Sequence, residues 1–295
     1  AGSANVVLQS LNNAFVSSDT APTDLTFTFN PATGAVNYIF SGGATTINIG
    51  EDGSNNLQIN DVTSSTPAFD FSLTGLANNI LLANSAIAVT GAGSTVSLTS
   101  AGTINDASGA TSITVNGTLT LDATTGIGTT AALNTSVSNL TVSSNGGDLI
   151  IHNIGGMTLT GSGGGAGTSV YISTGSPISV GPFDGLGAAV TFAAEGTAAT
   201  DDLTVIGNIT TAANTVTLYA GDSIIHNTGF TVSTTTSGAV TYKAGVNFAG
   251  AVEAAGNAGG SIEMADGSTV NSAGAVVMSA PGSIQLSTVT AATTV

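Results

Sequence analysis

Side chains able to do chemistry are few in this chain and fall in short phrases. Asp148-Leu149-Ile150-Ile151-His152-Asn153 and Asp222-Ser223-Ile224-Ile225-His226-Asn227 each place an Asp four residues before a His, and these are the 2 His of the sequence. Imidazole near carboxylate suits proton transfer, pH sensing or metal ligation. The 74 residues between the two rings correspond to about three coils of a repeating fold, which places them on one face about 14 Å apart, too far to share a metal. The plainer reading is that His and Asn turn a corner where a strand ends. Asp201-Asp202 is an adjacent carboxyl pair, the chemistry with which a leaving oxygen is protonated and a water activated in glycoside cleavage.

Glu51-Asp52-Gly53-Ser54-Asn55-Asn56 clusters oxygen donors of the kind calcium takes, with Glu51, Asp52 and Asn55 as the candidate ligands. Asp106 and Asp266-Gly267 are further carboxylates in turn-like contexts. Neither an EF-hand spacing nor a Gly-Gly-x-Gly-x-Asp calcium roll is present, and no cofactor other than calcium is implied. Lys243, with Asn247 or Asn257 and Glu253 nearby in sequence, has the residue types of an isopeptide crosslink, although a surface lysine is the simpler reading. Asn116, Asn134, Asn139 and Asn208 head Asn-x-Ser/Thr sequons, which a chain rich in Asn and Thr generates by chance.

These groups must be carried by strands. Apolar residues make up 41% of the 295-residue chain and charged residues 6%, the reverse of a disordered composition. Thr, Val, Ser, Asn and Gly outnumber the strong helix formers, so the chain reads as all-β. One Lys, no Arg and a net charge of −16 exclude a basic groove for nucleic acid. No apolar run is long enough for a membrane helix. The absence of Cys excludes a disulfide-stapled scaffold. The opening Ala1-Gly2-Ser3-Ala4 fits a mature end left by signal cleavage or a stretch of something longer.

One phrase recurs: Val96-Ser97-Leu98-Thr99-Ser100-Ala101-Gly102-Thr103-Ile104 returns from Val216 to Ile224 and from Val276 to Ile284. Val240 to Phe248 keeps the spacing, and Leu140 to Leu149 carries it with one extra residue. A strand-kink-strand unit that cannot bury its own apolar side stacks on copies of itself. Successive strand starts lie 21 residues apart from 119 to 140, 20 from 170 to 190, 26 from 190 to 216, 24 from 216 to 240 and 22 from 240 to 262. That is the circuit of a β-solenoid. About 250 residues in coils of about 22 give roughly eleven coils and a rod on the order of 50 Å.

Residues 1–45 differ, with Pro22, Pro31 and a hairpin expected from Leu25–Phe29 and Val36–Phe40 about the turn Asn30-Pro31-Ala32-Thr33-Gly34. They are expected to form an N-terminal β cap, and 46–295 the parallel solenoid. The glycine run 161–167 and Gly181-Pro182-Phe183-Asp184-Gly185 are expected to project as loops.

The V-x-L-x-[AS]-x-G-[ST]-I unit at Val96, Val216 and Val276 resembles the repeats of filamentous haemagglutinin-like exoproteins and related large bacterial surface adhesins, over residues 85 to 295. The resemblance implies a right-handed parallel β-helix, export to the cell surface or beyond, and a role as adhesin or structural fibre. The conserved secretion motif of that family is absent, and without Arg no Arg-Gly-Asp tripeptide exists. The expected function is therefore a non-catalytic extracellular structural or adhesive β-solenoid. It would self-associate into fibres or end-to-end stacks and contact a host or surface glycan or protein. The alternative is a glycan-active β-helix, a polysaccharide hydrolase, lyase or depolymerase module. Asp201-Asp202 is similar to the paired aspartates of β-helical hydrolases, but their Gly-His-Gly and Arg-x-Lys elements are missing.

Overall fold

The computed structural model describes residues 5–9, 24–29, 38–42, 45–51, 56–75, 79–83, 86–107, 109–248, 253–254 and 259–292. Every regular element among them is a β-strand, and the chain winds as a parallel β-solenoid of about 10 turns. Residues 1–144 and 145–295 form two compact units.

In the first unit, alternation sets the core. Phe71, Val96, Leu119 and Leu140 stand in register on successive strands, as do Leu73, Leu98, Leu121 and Val142, and all are at most 1% exposed. Leu57, Ile80, Ile104 and Ile127 make a second buried column. Each inward side chain thus meets its own kind one coil away, and each contributes about 1.5–3 kcal/mol of burial. The intervening Ser72, Ser97, Thr120 and Thr141 are half-buried in a matching outward column.

The first sixty residues do not pair as the sequence suggests. Asp24–Phe29 lies parallel between Asn5–Gln9 and Asp70–Gly75, so it already belongs to the ladder of coils. Tyr38–Gly42 finds its antiparallel partner in Thr45–Glu51, which pairs in turn with Asn56–Ser64. The period-two pattern of both segments fits either partner, and the long-range ladder decides for the first of them. The turn 30–34 and Pro22 lie outside the described residues.

The second unit has three strand faces per coil. On the first, Leu149–Asn153, Ser169–Thr174, Ala189–Ala194, Val216–Ala220, Val240–Lys243 and Val276–Ser279 follow one another in parallel. On the second, Met157, Ile178, Leu203, Ile224, Ile262 and Ile284 are in register. On the third, Phe183, Ile209, Val232, Val270 and Val289 are in register.

Two sequence expectations fail here for physical reasons. Val240 pairs with Val276, and Ile262 sits on the second face beside Ile224, so the coil after Val240 is 36 residues long rather than 22. The excess is an insert that contains the antiparallel pair Asn247–Phe248 with Glu253–Ala254. It leaves at Gly245 (φ +66°) and returns at Gly260 (φ +80°), where a Cβ on Gly260 would stand 2.8 Å from the Gly245 nitrogen. Side chains are excluded from both edges of that neck.

The glycine run is also not a projecting loop throughout. Gly161 and Ser162 pair with Phe183 and Asp184, and Gly163 and Gly164 are buried, where a Cβ would come within 2.5 Å of Leu149 Cδ2 and 2.4 Å of Ala188 Cβ respectively. Gly181 to Asp184 likewise belong to the strand Ile178–Asp184, with Phe183 packed edge-on to Phe192 at 5.0 Å between ring centroids. Glycine here marks close approach of backbones rather than freedom.

Candidate functional site

The two Asp-x-x-x-His phrases do not share a face. His152 lies on the first face of the second unit and His226 on the second, in strands Leu149–Asn153 and Ile224–His226. Alternation turns them opposite ways, because the inward positions are Leu149, Ile151 and Asn153 in one strand but Ile224 and His226 in the other. A one-residue offset of the phrase against the pleat is enough to do this.

His226 is fully buried in the lumen. Its Nε2 is 3.1 Å from the Phe230 carbonyl oxygen, which can only accept, so Nε2 carries the proton. Nδ1 then accepts from the Tyr242 hydroxyl at 3.2 Å. Burial pushes the imidazole down to about 4, with the Phe230 carbonyl opposing. Burial also holds the Tyr242 phenol well above its usual range. Both side chains are neutral and fixed in place, a polar tie inside an apolar core.

His152 stands outward and partly exposed. Its Nδ1 is 2.9 Å from Ser173 Oγ and 3.7 Å from Glu195 Oε2, while the Tyr171 hydroxyl donates to Glu195 Oε1 at 3.2 Å. Burial, then the Glu195 carboxylate, raises the Tyr171 phenol far above its ordinary value. Serine, histidine and glutamate invite comparison with a nucleophile relay. A relay needs the serine on one ring nitrogen and the acid on the other, and here both meet Nδ1. Tyr219 and Lys243 continue the same outward column, with Lys243 Nζ 5.7 Å from the Tyr219 ring centroid and Phe248 edge-on to that ring at 6.2 Å. The sequence signal for this group is weak, because its members come from five different coils.

The remaining candidates hold backbone. Asp201 Oδ2 accepts from the Ala198 N–H at 2.9 Å and so closes its own turn. Asp202 Oδ1 accepts from the Ser223 N–H at 3.1 Å, one coil on. Burial raises the Asp202 carboxyl, the Ser223 N–H lowers it, and Asp222 and Glu263 add to the rise. Ser223 Oγ accepts from the Ser261 N–H at 3.1 Å, and Ser261 Oγ from the Ser283 N–H at 3.2 Å, so one corner is tied through four coils by side-chain oxygens. Asp148, Asn79, Asn105 and Asn208 do the same for the N–H groups of Ser169, Thr103, Thr129 and Thr231. Sequence reading missed these ties. Except for Asn105, which lies within the strand Thr103–Asp106, their signal is an Asn, Asp or Ser just before or at the start of a strand, one coil ahead of its donor.

Of the calcium candidates, Asp52 and Asn55 lie outside the described residues, and Glu51 is described only as the last residue of Thr45–Glu51. Asp106 ends the strand Thr103–Asp106 and is buried, and the Asp266 carbonyl accepts from Thr228 Oγ1 at 2.6 Å. Among the described residues no three His, Asp or Glu side chains gather in a way that could hold a metal ion. Asn257 also lies outside them. The sequon residues Asn116, Asn139 and Asn208 are exposed, and Asn134 is half-buried with its amide donating to the Gly109 carbonyl at 2.7 Å. No helix among the described residues is long and apolar enough to cross a membrane.

The fold defines the class, a parallel β-solenoid repeat protein. No family model, curated protein or solved structure matches the chain.

Proposed function

We propose that this chain is a non-catalytic, extracellular structural or adhesive β-solenoid segment of the kind found in haemagglutinin-like surface proteins. One observation carries the reading: the side chains with chemical potential are spent on joining coils. Asp148, Asp202, Asn79, Asn105 and Asn208 accept backbone N–H groups from the next coil, and Asp201 closes a turn. A solenoid gains stability coil by coil, so ties repeated along its corners suit a part that bears load or displays a surface. Electron microscopy of the purified protein at high concentration tests this. Fibres or ordered stacks support it, and monodisperse monomers at all concentrations remove the self-assembling version.

A second reading, glycan cleavage, is favoured by one feature, the Asp202 carboxyl raised by burial with Asp222 beside it. Release of reducing or unsaturated ends from a panel of polysaccharides, abolished in Asp202→Asn, would replace the first reading with this one.

A further inference from the structure

Asparagine precedes glycine twice in the chain, at Asn116-Gly117 and Asn145-Gly146, and both asparagines are exposed. A glycine in this place has no Cβ to shield its backbone nitrogen, which lies one ring closure from the asparagine Cγ. Backbone conformation decides whether that ring can close. The extended geometry of a strand holds the nitrogen away from Cγ and commits the backbone to a ladder. The two sites differ in this respect.

Asn116 and Gly117 lie inside the strand Thr111–Ala123. Gly117 pairs with Ser94 one coil back, so closely that a Cβ on it would stand 2.1 Å from the Ser94 carbonyl oxygen, and the Asn116 amide donates to the Thr90 carbonyl at 3.2 Å. Neither the nitrogen nor the side chain is free to swing. Asn145 instead opens the connection 145–148, between the strand Leu133–Ser144 and the strand Leu149–Asn153. Asn145 and Gly146 are both exposed there in a bend, and among the described residues nothing bonds to the Asn145 side chain.

We propose that Asn145 is a site of spontaneous, backbone-assisted deamidation with water as its only co-reactant. The Gly146 nitrogen bonds to Asn145 Cγ, the Cγ–Nδ2 bond breaks, and ammonia leaves with the proton that the nitrogen gave up, closing a cyclic succinimide. Water then adds to one ring carbonyl. Cleavage of the new bond from nitrogen to Cγ gives aspartate, and cleavage of the original peptide bond gives isoaspartate, whose main chain runs through Cβ and Cγ. Nothing is oxidised or reduced. Either product adds a negative charge to a chain that already carries −16, three residues before Asp148, whose carboxylate holds the Ser169 N–H at 2.8 Å. Isoaspartate also lengthens the short connection between two strand ends.

The intact folded chain is held for days in mildly alkaline buffer, beside the same chain in guanidinium chloride, and peptide mapping by mass spectrometry follows the exchange of NH2 for OH at each asparagine. An aspartate-specific protease separates the two products, because it cuts before aspartate and not before isoaspartate. In the folded chain Asn145 is expected to react at least about tenfold faster than Asn116, since reaction at Asn116 first requires the ladder to open locally. In guanidinium chloride the two rates should converge, because the dipeptides are the same. Gly146→Ala, which places a Cβ beside the attacking nitrogen, should slow modification at Asn145 roughly tenfold with the circular dichroism spectrum unchanged. Comparable rates at the two sites of the folded chain, faster reaction at Asn116, a Gly146→Ala chain that reacts as the parent does, or no modification at Asn145 while the denatured chain reacts would each overturn the site. None of these outcomes depends on whether the chain assembles, adheres or cleaves glycans.

Discussion

Tyr242 donates its hydroxyl hydrogen to Nδ1 of His226 at 3.2 Å, and both residues are wholly shielded from solvent. They come from different faces of the second unit and meet inside it. The pair is a polar contact between two walls whose nearest inward residues, Leu218 and Val240 on one and Val205, Ile224 and Met264 on the other, are apolar. Because the ring nitrogen opposite is committed to the Phe230 carbonyl, a proton added to His226 would face the tyrosine oxygen in place of its hydrogen. Protonation would reverse the direction of this bond and leave a charged ring buried in the core, so the fold favours the neutral ring.

Acid is expected to weaken the fold through this residue. The folded ring has its affinity for protons lowered to about 4, and an unfolded chain takes up the proton near 6.5. Stability from this source is complete above pH 6.5 and is lost as pH falls toward 4, a span worth about 3 kcal/mol at most. Urea unfolding at pH 7.5, 5.5 and 4.5 should show that decline, and it should be flatter in His226→Gln. Equal slopes in parent and variant would remove the assignment.

Glycine in the recurring kink is expected to be irreplaceable where coils touch. A Cβ on Gly221 would stand 2.1 Å from the Gly196 carbonyl oxygen, whereas one on Gly175 meets nothing within 4 Å. Gly221→Ala should lower stability by about 1–3 kcal/mol through overpacking, while Gly175→Ala should be close to neutral. Thermal melts of the two variants side by side decide it, and equal effects would count against close approach as the reason for the motif.

Asp202→Asn is expected to raise the melting temperature at pH 7. The carboxyl is raised chiefly by burial and, after the opposing Ser223 N–H, by Asp222 and Glu263, so its charged form is disfavoured in the fold. A raised carboxyl adds most to stability at low pH and loses that contribution as pH rises through its folded value. The amide oxygen still accepts from Ser223, so the gain at pH 7 should vanish near pH 3. A variant less stable than the parent at pH 7 would show that the charge itself holds the corner.

The insert after Val240 is expected to be dispensable for folding. Its ends meet at Gly245 and Gly260, and the coil continues from Lys243 to the second face without it. Removal of 247–258, with Val246 joined to Gly259, should leave a cooperative melt and the same β circular dichroism spectrum. A molten or aggregated product would show that the insert supports the coils rather than decorating them.

Much of the architecture was written in local pattern. Leu119 to Leu140, Val170 to Val190, Val190 to Val216 and Val216 to Val240 pair as the spacing implied. Each step joins two strands of the same alternation with nothing but a turn or a short strand pair between. The step from Val240 to Ile262 failed because Ile262-Glu263-Met264 alternates as well as Val276 does, and spacing alone cannot tell a second-face strand from a first-face strand one coil on. The glycine run 161–167 misled in the opposite sense. Composition registers flexibility, and only the nearness of Leu149 and Ala188 shows that two of those glycines are packing surfaces.

The sequence by itself determined that this chain is all-β, that its strands stack in parallel and that Val, Leu, Ile and Phe fill the inside, because alternation and recurrence are properties of neighbouring residues. The tertiary structure alone decided which histidine is a core tie and which an outer group, which carboxylates hold backbone, and that one outward face gathers Tyr171, Tyr219, His152 and Lys243. Those facts depend on the offset of each phrase against the pleat and on the length of each coil. Both are set by long-range register, which no local stretch of the chain contains.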